Sequence, residues 1–522
     1  MAVQLIRDLL KLDQTVGKDQ REALVEGEIR LPQNKPGINK ILTIDGDVEV
    51  NEIKVVKDKI LVDGLVKFKV LYNGSDEKQP IHSLEASTDF KEEIMIEGIT
   101  EEMTGEVISS IEHIDYNLIN DSSISVKTVL EIEGKVQSNN SIDIVKEVTG
   151  TEGLQVLKEK IIYNDIIGTN KSSTIIKEAF ELDEDMPDIL DILRVDTKAY
   201  ERETKVVDDK VIVSGIVEAS IMYFGDDEDD QIKYLSYEIP FTHFVEVSGA
   251  VKDMKCNIKI NSNDVYYDTK EDINGDIRII DIESMIKINA KVYEQLESEV
   301  TVDTYSTNKK FDVKKQDVDI TENIDSKEIK ESVNHTIELG QQESIKNIFN
   351  LNAKPIVTDY RTVEGKIIIE GLLNVDVLYQ SDNAKEILNA NQQIPFNSYV
   401  DIDEINENIV LEISNVLESI NYKKISSNKI EINSVVKSLV SVNRIKKFSL
   451  VTEAEELDEI LDQKSKPSIT VYVVQKGDTL WKIAKRYNST VEEIIEANDI
   501  ISPENVMPGE KIIIEKNIEF QL

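Results

Sequence analysis

The chain has 522 residues and a formal charge of −41, with hydrophobic residues at 40% and charged residues at 31%. That length suits three or four globular domains of roughly 100–200 residues each, and the composition excludes a chain disordered throughout. So acidic a surface repels phosphate backbones and anionic lipid, which argues against nucleic-acid and membrane-surface roles.

The chain opens MAVQLIRDLLKLDQ, an apolar group from Val3 to Leu12 interrupted by Arg7, Asp8 and Lys11. This spacing predicts a short amphipathic helix within an N-terminal helical segment, 1–21. An export signal needs a continuous apolar stretch behind a basic start, and the opening has none. No window approaches the ~18–20 uninterrupted apolar residues of a membrane-spanning helix. The single cysteine, Cys256, can close no intrachain disulfide and has no second cysteine for a zinc knuckle. These features point to a cytoplasmic protein.

Three strands of one design follow: GLVKFKVLY from Gly64 to Tyr72, GIVEASIMY from Gly215 to Tyr223 and GLLNVDVLY from Gly371 to Tyr379. Their period-two alternation marks half-buried strands. Other landmarks keep register: Lys59, Lys210 and Lys366 before each glycine, Phe90, Phe241 and Phe396 after it, and a second tyrosine at Tyr116, Tyr267 and Tyr422. Upstream, PGINKILTID (Pro36 to Asp45) matches PDILDILRVD (Pro187 to Asp196), while ESIKNIFNLN (Glu343 to Asn352) has lost the proline. Ile38, Ile41 and Leu42 behind Pro36 predict a short amphipathic helix. The glycines are offset by 151 and 156 residues, too far for a solenoid, so the copies are tandem domains at 22–150, 151–300 and 301–446. Runs rich in Val and Ile, with hairpin loops at 72–78 and 224–231, predict mainly β domains of sandwich or barrel type with short helices.

An acidic linker with a short helix is expected over 447–469, then a compact module at 470–516. Residues 471–516 carry six basic and eight acidic side chains, a net of −2 that leaves −39 for the rest. TVYVVQ reads as a strand, Asp478 or Thr479 can cap a helix through Tyr487, and Thr490 with Glu493 forms a capping box for a second helix. Pro508-Gly509 turns into the closing strand KIIIE, giving βααβ.

GDTLW at 477–481 and NVMPGEKI at 505–512 resemble the LysM fold, best known for gripping N-acetylglucosamine chains. With the three acidic repeats, the layout resembles the SPOCS-domain proteins of endospore-forming Firmicutes. The resemblance implies a morphogenetic adaptor of the mother-cell cytoplasm at the forespore surface, whose LysM binds the basement-layer ATPase SpoIVA instead of glycan. Other coat proteins would then meet the repeat domains.

Ile469, Val471 and Val473 share one strand face, with Tyr472 and Val474 on the other, so one apolar face is expected to stay partly exposed. Trp481, the only tryptophan, is either a docking anchor or a packing residue against Ile469. Candidate partner-binding residues are Trp481, Ile469, Val471, Leu480, Asp478 and Thr479. A glycan would instead use Gly477, Asp478, Thr479, Leu480, Asn498 and Ile500, in the loops Gly477–Leu480 and Ala497–Ile501.

Tyr72, Tyr223 and Tyr379 read as core tyrosines, the repeat glycines as bulges or close approaches, and Asp226–Asp230 as a solvated hairpin tip without EF-hand spacing. His82, His113, His243 and His335 form no metal-ligand pair, and no phosphate-binding loop or nucleophile elbow occurs. The reading is therefore a non-enzymatic adaptor without cofactor or metal. Its alternative is a glycan-binding protein of wall or spore cortex.

Overall fold

The computed structural model describes residues 3–75, 79, 81–227, 231–339, 344–363, 365–382, 387–402, 409–461, 467–501, 503 and 506–515. Residues 228–230 of the acidic run, Glu343, part of the 72–78 hairpin and 462–466 of the expected linker lie outside them.

Each repeat is six antiparallel strands in two three-stranded sheets. The first comprises β1 (Gln4–Arg30), β2 (Ile38–Val56), β3 (Lys59–Gly74), β4 (Ile81–Met95), β5 (Thr104–Asn120) and β6 (Ser123–Thr149). The second runs β7 (Leu154–Glu181), β8 (Ile189–Val207), β9 (Lys210–Gly225), β10 (Ile232–Glu246), β11 (Lys255–Glu271) and β12 (Ile277–Ser306). The third runs β13 (Lys309–Glu338), β14 (Ile345–Val363), β15 (Lys366–Ser381), β16 (Ile387–Asp401), β17 (Ile409–Lys424) and β18 (Lys429–Ile460). In repeat one, β2-β3-β4 faces β1-β6-β5, and the other two repeat this order. Val66, Phe68 and Val70 of one sheet meet Ile124, Leu130 and Ile132 of the other, so each repeat is a β-sandwich.

Several expectations fail, each for a physical reason. The N-terminal segment is strand β1, because Leu10 is buried against Ile142 and Ile144 while the backbone pairs with β6. Long-range pairing has overridden a local helical pattern. The Pro36 helix is also strand: β2 carries register shifts at Ile38/Lys40 and Ile41/Thr43, and β8 and β14 carry them at the matching places. Two bulges turn a period of two into the i, i+3, i+4 spacing that imitates a helix. Residues 301–306 continue β12 and 447–460 continue β18, where a domain start and an acidic helix-bearing linker were expected. Among the described residues both helices lie in the C-terminal module.

The landmarks that keep register now have partners. Tyr72 and Tyr223 are buried and donate to the carbonyls of Pro36 and Pro187, each at 3.2 Å. Gly64, Gly215 and Gly371 stand directly across from Phe90, Phe241 and Phe396. A Cβ at Gly215 would come 2.8 Å from the Phe241 ring and clash with the carbonyl of Tyr200. The aromatic ring thus covers the gap that the glycine leaves. Gly215→Ala is expected to cost about 1–3 kcal/mol by overpacking. A lowered urea midpoint checks this, and an unchanged midpoint would contradict it.

The three sandwiches close a ring through the same junction each time: β4 against β8, β10 against β14 and β16 against β2. Equivalent residues of all three, including Leu42, Leu193 and Phe349 with Leu71, Met222 and Leu378, share one central apolar cluster. Beyond the ring, the outer halves of β1, β6, β7, β12, β13 and β18 gather into a stalk around Leu10, Ile144, Ile161, Val300, Val318 and Leu450. The ring centre also holds one asymmetric feature. Where repeats one and three have Thr43 and Asn350, repeat two has Arg194, whose largely buried guanidinium donates to Asp45 and Asp196.

Candidate functional site

The C-terminal module folds as β19 (Ile469–Val473), α1 (Leu480–Tyr487), α2 (Val491–Asn498) and β20 (Lys511–Glu515). The Thr479 hydroxyl caps α1 by accepting from Lys482 N, and α2 opens with the complete Thr490–Glu493 capping box. Asn488 and Asp499 end the helices in the left-handed conformation, which short polar side chains tolerate. Val474, Leu480, Ile483, Ala484, Ile494, Ile512 and Ile514 form the core.

The module is seated on the stalk. Tyr305, near the end of β12, joins that core, and its hydroxyl donates to the carbonyl of Ser489 at 2.8 Å. Its ring meets Trp481 edge-on, with centroids 4.9 Å apart at 71°. Asp303, two residues earlier, accepts from the Trp481 indole N–H at 2.8 Å and from Lys485 at 2.7 Å, with Lys315 at 2.9 Å. Burial alone would raise the Asp303 carboxyl, but Lys485, Trp481 and Lys315 hold it below its ordinary value.

The candidate residues therefore separate. Leu480 is 3% exposed and belongs to the core, so its side chain is not offered to a partner or glycan. Thr479 is a helix cap. Asp478 accepts from the Tyr472 hydroxyl at 2.6 Å and from Gln475 N at 2.8 Å, and these bonds hold its carboxyl low. Trp481 packs on the module core against Tyr305 and bonds Asp303, neighbours that neither sequence alternative named. Ile469 and Val471 remain open at 59% and 58%, with Val473 and Ile513 beside them, forming an apolar outer face on the two-stranded sheet.

Of the glycan-loop residues, Gly477 sits in an open turn at φ +88°, Ile500 packs on the core and Asn498 is engaged with β20. Asp303, Tyr305 and Lys315 were missed by sequence reasoning. They lie between the landmarks of repeats two and three, and nothing local marks them.

Residues 37–119, 188–270 and 344–425 each match the family model described as SipL, SPOCS domain, and 472–515 match the LysM domain. The chain is a three-repeat SPOCS protein with a LysM domain. Each SPOCS match spans β2–β5 or its equivalent, so the strands that complete each sandwich and build the stalk fall outside it. SpoIVD-associated factor A of Bacillus subtilis is 51% identical over 43 residues, 8% of this chain and 11% of that one. Spore coat assembly protein ExsA of Bacillus cereus is 49% identical over 43 residues, 8% and 7% of the two chains. The cortical fragment-lytic enzyme of Bacillus subtilis is 43% identical over 44 residues, 8% and 10%. The chain thus spans about a tenth of the length of these relatives, in matches about as long as the LysM segment. No solved structure matches. No helix among the described residues is long and apolar enough to cross a membrane.

Proposed function

We propose that this SPOCS–LysM protein is a non-enzymatic morphogenetic adaptor of the spore envelope. Its LysM docks on the basement-layer ATPase SpoIVA in the mother-cell cytoplasm, and its repeats serve as a platform for coat assembly around the forespore. The observation that carries this reading is the exposed apolar strand face of Ile469 and Val471 on a module held at the tip of a long stalk. Apolar contacts at the centre of a small patch dominate protein–protein affinity. The LysM segment is also nearly neutral within a chain of −41, so a partner meets least repulsion there. The coat-assembly and SpoIVD-association names of two relatives agree with this assignment.

In binding to a purified SpoIVA homologue, full-length Ile469→Glu and Val471→Glu are each expected to weaken association at least about 30-fold, as for a hot spot of ~2 kcal/mol. Unchanged binding by both would remove the strand face from the interface. A second reading, retention of peptidoglycan or chitin by the loops Gly477–Leu480 and Ala497–Ile501, is favoured by the open Gly477 turn. Sedimentation of the full chain with insoluble peptidoglycan, without association with SpoIVA, would reverse the ranking.

A further inference from the structure

The two edges of the LysM sheet are not alike. On β20 the Asn498 side chain behaves like a neighbouring strand, accepting from Ile513 N and donating to Ile513 O, both at 2.7 Å. Since both backbone groups of Ile513 point outward, its cross-strand pair with Val471 is a non-hydrogen-bonded one. The backbone N–H and C=O groups of Val471, and by alternation those of Ile469 and Val473, therefore point away from β20. The Val473 carbonyl accepts from the Gln475 side chain at 2.8 Å. Among the described residues, no backbone partner meets the N–H or C=O of Ile469 or Val471. The same residues carry the exposed apolar side chains.

We propose that β19 is an open strand edge on which the partner adds an extended polypeptide segment, so that recognition is by strand addition. This rests on the protein-docking reading above and specifies its chemistry. Alternating amide donors and acceptors along an edge are matched by another extended backbone, with side-chain pockets adding selectivity. Charge sets the flank of the incoming strand. Lys476 is exposed just beyond Val473 on the β19 side, so an apolar segment with a carboxylate at that end is favoured. Asn498 occupies the middle of the β20 edge, whereas no described backbone group occupies the middle of β19 at Val471, so addition is directed to β19.

The test uses the full chain and a purified SpoIVA homologue. Val471→Pro deletes the outward N–H while keeping an apolar side chain, and proline is tolerated where that N–H faces away from the ladder. Val471→Thr retains the N–H. Val471→Pro is expected to weaken binding at least about tenfold and Val471→Thr about threefold or less, with Trp481 emission unchanged in both. Equal binding by Val471→Pro and wild type would overturn strand addition and leave the adaptor reading standing. Failure of the wild type to bind would remove both. Amide exchange in the wild-type complex needs no variant: the Val471 N–H should slow about tenfold or more, and unaltered exchange also overturns the proposal. A protein that dimerises alone through the same Val471→Pro-sensitive edge would replace the partner strand by a second copy, overturning the assignment to a foreign segment.

Discussion

Replacing Asp303 with alanine is expected to free the LysM domain from the stalk and to shift the emission of Trp481 to the red. Asp303 is largely buried and gathers three donors, Trp481, Lys485 and Lys315. Removing it strands two ammonium groups and an indole N–H, a loss of about 1.5–3 kcal/mol for bonds to a charged group. That converts to roughly a 10–150-fold shift toward the undocked form. Trp481 is the only tryptophan, so its emission reports this contact without interference. Solution scattering should show a larger radius of gyration.

Acid should act in the same direction. The docked carboxyl lies below its ordinary value of 3.8, so its contribution is fully present above that pH and is lost as pH falls through the lowered value. Emission and scattering unaltered by Asp303→Ala would show that Tyr305 and the apolar contacts hold the module without the carboxylate.

Arg194→Ala is expected to destabilise the whole ring by about 3–5 kcal/mol, the usual result of removing one partner from a buried ion network. Burial alone would depress the guanidinium, but Asp196 and Asp45 hold it firmly protonated. Asp196 also accepts from Lys69 of repeat one at 2.7 Å, so the network joins two repeats at the centre. Without Arg194, Asp45 loses the donor contributed by repeat two, and Asp196 keeps only Lys69 among the cations described beside it. Arg194→Lys should recover part of the loss, because one ammonium cannot match the guanidinium's planar fork against two carboxylates. Urea unfolding of the three proteins checks the order. A loss under ~1 kcal/mol for Arg194→Ala would mean that the apolar cluster alone fixes the junction.

The sequence and the tertiary structure each decided a distinct share. Triplication, the β class and the βααβ module were legible because they rest on local regularities: alternation toward Tyr72, Tyr223 and Tyr379, glycine–phenylalanine spacing, and the Thr490–Glu493 capping box. These patterns are fixed by contacts within one repeat or one helix turn, so they are written in residue spacing. What the sequence misrepresented was always a long-range effect. Paired bulges gave β2, β8 and β14 a helical rhythm, and pairing with β6 made a strand of the helix-like N-terminus. Ring closure, the stalk and the seat of Trp481 on Asp303 and Tyr305 join residues far apart in the chain. No local spacing encodes such meetings. The exposed strand face of Ile469 and Val471 was legible from alternation, but folding alone decided that Trp481 faces the body of the protein.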